Sequence, residues 1–136
     1  MPFLSRKQIL AIAAVIEIAL NARDRPIFAR FITLHQKVPK RHLERILQRL
    51  VHKGILTSGL GAHGGYQLAR EPDLITVDEI VRSMIEEEAG DTPQSIIERE
   101  IVIPALRDSE TMFSEALRRL TIGDFAHAAQ AERRRE

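Results

Sequence analysis

The chain has 136 residues, 44% of them hydrophobic and 29% charged, with one tyrosine and neither tryptophan nor cysteine. That length fits one compact domain, with room for an appended dimerisation element, and the hydrophobic share is enough for a core. The missing thiols exclude disulfides, thiolate zinc sites, cysteine nucleophiles and ordinary cysteine-ligated iron–sulfur clusters.

The net charge of +1 conceals an asymmetry. Residues 1–70 hold twelve Lys and Arg against three acids, a net +9, while residues 71–136 hold eight bases against sixteen acids, a net −8. A strongly basic half suits a polyanion, although two solvated faces of opposite sign would give the same counts. No run of about 18 apolar residues occurs, and the first residues lack a basic, apolar and small-residue leader pattern. A cytoplasmic location without a membrane partner is therefore expected.

Ser5 and Gln8 have the spacing of a capping box that opens a first helix. Ile9, Ile12, Ala13, Ile16, Ala19 and Leu20 keep helical spacing, and Val15 and Ile18 widen the apolar surface, so this helix should be largely buried. Residues 21–25 end it and Pro26 marks the break. A short second helix is expected over 27–35 with Phe28, Phe31 and Ile32 inward, then a turn at 36–38. The third helix has the clearest pattern. Pro39 suits its first position, Leu43, Ile46, Leu47, Leu50 and Val51 form one stripe, and Gly54 stands where a left-handed cap belongs. At about 100° per residue, Arg41, Glu44, Arg45, Gln48 and His52 lie opposite that stripe, flanked by Lys40 and Arg49.

Residues 55–58 and 66–69 read as strands of a hairpin, joined by a loop with glycine at 59, 61, 64 and 65. Glycine lets backbone approach a phosphate closely and offer its N–H groups. Tyr66 is expected to pack at the base of this hairpin. Thr76 and Glu79 form a second capping box, ahead of an inner face of Val77, Ile80, Val81, Met84 and Ile85. Residues 89–91 read as a linker. Thr92 and Pro93 can cap a helix running through Ile97 and Ile101, which Pro104 must kink or restart. Met112, Phe113, Ala116, Leu117 and Leu120 continue an amphipathic stripe. Thr121 can cap a last short helix with Ile122 and Phe125, and a flexible tail is expected over 126–136.

Three helices followed by a hairpin are the parts of a winged helix, so the expected fold is mainly α with a small β-hairpin wing. The second and third helices make a helix-turn-helix whose later helix enters the major groove of DNA. Arginine can pair bidentately with guanine and glutamine with adenine, while lysine holds phosphates. An ordinary solvated helix face has the same composition; the turn, the wing glycines and the basic half tip the balance towards double-stranded DNA.

At these residues the sequence resembles the Rrf-two (Rrf2) family of winged-helix transcription regulators, whose members include an iron–sulfur cluster regulator, a nitric-oxide-sensing repressor and a cysteine-metabolism repressor. The resemblance runs through His42-Leu43-Glu44-Arg45-Ile46-Leu47, Leu50, Gly54-Ile55-Leu56, Gly64-Gly65-Tyr66-Gln67-Leu68-Ala69-Arg70 and Ile75-Thr76-Val77-Asp78-Glu79-Ile80-Val81, with a weaker echo in Leu120-Thr121-Ile122-Gly123-Asp124-Phe125. It covers about 8–125. It implies a homodimer built through a long C-terminal helix near 104–120, with Met112, Phe113, Ala116, Leu117 and Leu120 at the seam. It also implies a palindromic operator with half-sites about 34 Å apart. Lys40, Arg41, His42, Glu44, Arg45, Gln48 and Arg49 would contact DNA together with the wing residues Leu60, His63, Gly64 and Gly65. The implied division is a DNA-binding domain over 1–88, a dimerisation region over 89–125 and the tail.

Two departures stand out. Cluster-binding members carry three cysteines where 86–105 here has none, so no cofactor is expected. Many members place an arginine in the wing for the minor groove; here that position is Leu60, with His63 nearby. An apolar wing tip also suits the alternative of a protein-interaction module that does not bind DNA. Enzyme signatures are missing. His35, His42, His52, His63 and His127 form no HExxH pattern, 86–88 is a run of glutamates, and the glycine loop lacks a P-loop lysine. No spacing points to a metal site.

Overall fold

The computed structural model describes residues 1–21, 25–59, 65–86, 92 and 95–135, with the backbone alone over 33–36. Regular structure begins with α1 (Arg6–Asn21) at the expected capping box. The Gln8 amide donates to Ser5 Oγ at 3.1 Å and the Ser5 amide to Gln8 Oε1 at 2.8 Å. The innermost residues of α1 are Leu10, Ala11, Ala14, Val15 and Ile18, with Ile12, Ile16 and Ala19 at the margin. The buried line is thus rotated from the expected one. A helix apolar around most of its circumference leaves its own rotation to be set by its neighbours.

The helix-turn-helix follows as α2 (Ala29–Gln36) and α3 (Lys40–His52). Ile32 and Ala29 are buried, but Phe31 is 44% exposed and does not share the inward face. The turn places Lys37 at φ 56°, a left-handed conformation unfavourable for a residue with a Cβ. Leu43, Ile46, Leu47 and Leu50 of α3 are fully buried. Its end is a Schellman motif: the Ile55 amide donates to the Leu50 carbonyl and the Gly54 amide to the Val51 carbonyl, both at 3.0 Å, with Gly54 at φ 78°. Ile55 then enters the same core as Leu50.

Strands β1 (Leu56–Gly59) and β2 (Gly65–Leu68) pair antiparallel with Leu56 opposite Leu68 and Gly59 opposite Gly65. Ile27 adds a bridge to Tyr66 on the far side of β2, with hydrogen bonds of 2.8 and 3.0 Å. That bridge explains Gly65. At φ 138° a Cβ there would lie 2.8 Å from Pro26 Cβ and 3.1 Å from the Ile27 carbonyl oxygen.

A 3-10 turn (Pro72–Leu74) leads to α4 (Val77–Ser83), which opens on the complete Thr76–Glu79 capping box. Thr121 and Asp124 reproduce that box at α6 (Ile122–Arg135). The two caps lie side by side: the Val77 amide donates to the Leu120 carbonyl and the Ile122 amide to the Ile75 carbonyl, both at 2.9 Å. Ile122 is buried in the core shared by α1 and α3. The last helix is longer than its sequence suggests, continuing to Arg135 where a tail was expected from 126. At the end of α4, Met84 is buried but Ile85 is 50% exposed, so Ile85 leaves the inner face assigned to it.

The α-helical pattern restarts at Pro104, as expected. The preceding turn (Glu98–Val102) is π-helical, with the Ile103 amide reaching the Glu98 carbonyl. α5 (Ile103–Arg118) then starts with Pro104 in its first turn, where the missing N–H and the ring are tolerated.

Candidate nucleic-acid interface

The apolar stripe of α3 fixes which side chains it can show. With Leu43, Ile46, Leu47 and Leu50 at zero exposure, Arg41, Arg45 and Gln48 are exposed on the opposite side, and Lys40, His42 and His52 are exposed as well. Glu44 is half-buried on the flank facing the wing. Its carboxylate lies 3.9 Å from the Lys40 ammonium, one turn earlier. Burial, and after it the Glu44 charge, push the Tyr66 phenol above its usual pKa, so Tyr66 stays neutral and packs on the core at the wing base. The helix begins at Pro39 with no side-chain cap and no acid in its first turn, leaving its positive end uncompensated beside Lys40 and Arg41.

Arg49 does not join this face. Its Nε donates to the Ser83 carbonyl and its terminal nitrogen to the Ile85 carbonyl at 2.8 Å, so the guanidinium closes the C-terminal end of α4. The acceptors come from 34 and 36 residues away, and nothing local in the sequence announces them. Leu60, His63 and Gly64 lie outside the described residues. Gly65 is described; its close approach is to Pro26 and Ile27 within the protomer.

The expected seam also divides. Leu117 is 8% exposed and packs on Val77 and Val81 of α4 within the protomer. Met112 is 72% exposed, and Phe113, Ala116 and Leu120 are exposed too. Ile101, Val102 and Leu106 extend the same helix with further exposed apolar side chains. Phe3 stands beside Phe113, ring centroids 6.5 Å apart.

Sequence reasoning passed over a second feature, the joint between α4 and α5. Asp78 is 5% exposed; its Oδ1 accepts from Ser114 Oγ at 2.7 Å and its Oδ2 from Arg82 Nε at 3.0 Å, with Arg118 Nε at 3.4 Å. Arg82 also donates to Ser114 Oγ at 2.8 Å. A buried carboxylate with this many donors is satisfied, and it fixes the long helix against the winged-helix body. The i, i+4 spacing of Asp78 and Arg82 was the available signal.

The family model described as "Iron-dependent Transcriptional regulator", Rrf2, matches residues 4–128. The chain belongs to the Rrf2 family. Among Rrf2 relatives, Protein rrf2 of Nitratidesulfovibrio vulgaris is 36% identical over 75 residues, covering 55% of this chain and 50% of that protein. The chain therefore spans about half the length of that relative. The HTH-type transcriptional regulator CymR of Bacillus subtilis is 28% identical over 95% of this chain and 93% of its own. The solved structure of CymR, the global cysteine regulator of B. subtilis, superposes with TM-score 0.69 at 26% identity over 94% and 98% of the two chains. That of T. potens IscR superposes with TM-score 0.73 at 26% identity over 93% of this chain and 87% of that one. The winged-helix, mainly helical fold is thus that of Rrf2 regulators.

The family description names iron, but this Rrf2 chain offers no thiolate to ligate it. It has no cysteine, and the described residues contain no group of three or more His, Asp or Glu placed to hold a metal. Among the described residues, no helix is long and apolar enough to cross a membrane.

Proposed function

We propose that this chain is a homodimeric, sequence-specific DNA-binding transcription regulator that works without an iron–sulfur cluster and catalyses no reaction. The observation that carries the proposal is α3: a helix locked into the core by four fully buried residues, showing Arg41, Arg45 and Gln48 outward from a helix-turn-helix. Those three reach base edges, His42 and Glu44 border them, and Lys40 contacts the backbone. Leu60, His63, Gly64 and Gly65 join them as DNA contacts in this reading. Arg49 drops out of the contact set because its guanidinium already holds the end of α4.

The second copy docks on α5. Its exposed Met112, Phe113, Ala116 and Leu120, continued by Ile101 and Leu106, form an apolar strip that a soluble monomer rarely leaves open. Two-fold pairing through this strip presents two α3 helices to a palindromic operator with half-sites about 34 Å apart. Functionally, 1–88 reads DNA and 89–125 pairs the protomers.

Selection of bound duplexes from a random pool by the purified protein tests the proposal. Enriched sequences should show inverted half-sites centred about one helical turn, or a whole multiple of it, apart. Enrichment should collapse for Arg41→Ala/Arg45→Ala. Recovery of unrelated sequences by both proteins would refute sequence-specific reading by α3.

A further inference from the structure

We propose that Arg30 is an anchor for a DNA backbone phosphate, pre-positioned by two aromatic rings. The inference rests on α3 entering the major groove and extends the interface to a residue on the preceding helix. Arg30 is the second residue of α2, and its Cζ lies 5.0 Å from the ring centroids of both Phe28 and Phe31. The ring of Phe31 is 44% exposed, outside the core that its helical spacing would have given it, and what it touches there is a cation.

Two observations separate this from an ordinary surface arginine. Among the described residues, the neighbouring Lys40 has an acceptor in Glu44, and Arg49 has acceptors in the α4 carbonyls. No carboxylate among them lies within ion-pair reach of Arg30. Its location is the second point. Arg30 lines a cleft of about 190 Å³ with Lys40, Glu44, Gly65 and Tyr66, which puts it where the start of α3 meets the wing base.

In a docked helix-turn-helix the helix before the recognition helix crosses the phosphate ridge. A guanidinium held at that crossing loses little freedom when it meets a phosphate, and its planar fork can engage two phosphate oxygens at once. The uncapped start of α3 adds positive potential on the same side. Such a contact sets register and affinity but reads no base.

The test uses the full chain, one selected duplex and one random duplex, with affinity measured across a salt series. Arg30→Ala should weaken both duplexes by the same factor, about tenfold or more, and make the log–log salt slope shallower by about 2 per dimer. Arg30→Lys should keep the slope while binding more weakly, because charge survives without the fork. Circular dichroism melting of each variant detects a merely structural role. Loss of affinity with an unchanged slope and a lowered melting temperature overturns the anchor, and so does wild-type binding by Arg30→Ala. If the wild-type protein itself shows no salt-dependent binding, the reading of α3 has failed and the anchor falls with it. A steep wild-type slope shared by Arg30→Ala removes the anchor alone.

Discussion

α5 carries two apolar surfaces, one packed on α4 and one that we propose pairs with a second copy, and a pair of substitutions separates them. Leu117 is 8% exposed against Val77 and Val81, whereas Met112 is 72% exposed. Leu117→Ala removes a buried side chain and leaves a partly collapsible cavity, costing the protomer about 3 kcal/mol. Met112→Glu leaves the protomer unchanged within about 0.5 kcal/mol, as an exposed substitution does. In a two-fold seam it removes two apolar side chains, each contributing about 1.5–3 kcal/mol, and introduces two charges. The loss is at least about 3 kcal/mol, so the dimer dissociation constant rises at least about a hundredfold. Sedimentation equilibrium measures that constant, and urea melting at several protein concentrations measures the protomer. The wild-type midpoint should rise with concentration, because unfolding releases subunits. That dependence should vanish in Met112→Glu and persist in Leu117→Ala, whose midpoint is lower throughout. A Met112→Glu dimer of wild-type affinity, or a Leu117→Ala monomer of wild-type stability, would refute this assignment of the two faces.

Other outcomes follow from single residues. Arg45→Ala should lower operator affinity by about 1–3 kcal/mol and relax discrimination at one base position, read by competition against single-base operator variants. Arg49→Ala should lower the urea-derived stability by about 1–3 kcal/mol, because two carbonyls lose a charged donor, while leaving the salt slope of DNA binding intact. Asp78→Ala should cost about 2 kcal/mol in the same melt, because Ser114 and Arg82 lose their shared acceptor. Lys37→Gly should raise stability by about 0.5–1 kcal/mol, since glycine removes the steric penalty of φ 56° at the turn while adding some unfolded-state entropy.

Local chemistry was readable from the sequence. The capping boxes at Ser5 and Thr76 and the cap at Thr121 each involve residues three apart, and the Gly54 cap closes on carbonyls within five residues. The α3 stripe was equally plain, because only one of its faces is apolar. α1 and α5 were harder for one shared reason. A helix apolar over a wide arc states that it has partners but not which residue meets which, so Leu117 looked like a seam residue while facing α4. Helical spacing points Phe31 into the core, although its ring lies beside Arg30 at the surface. Arg49 carried the right charge for DNA, yet carbonyls more than thirty residues away hold it. The buried role of Asp78 depends on Ser114 and Arg118, 36 and 40 residues on.

The most direct measurement of the central claim is duplex-DNA affinity against salt concentration for the wild-type protein. Contact with about 8 phosphates per dimer predicts a log–log slope near −7, together with tighter binding to a selected operator than to random duplex at every salt concentration. A flat response, or equal affinity for the two duplexes, would contradict a recognition helix seated in the major groove.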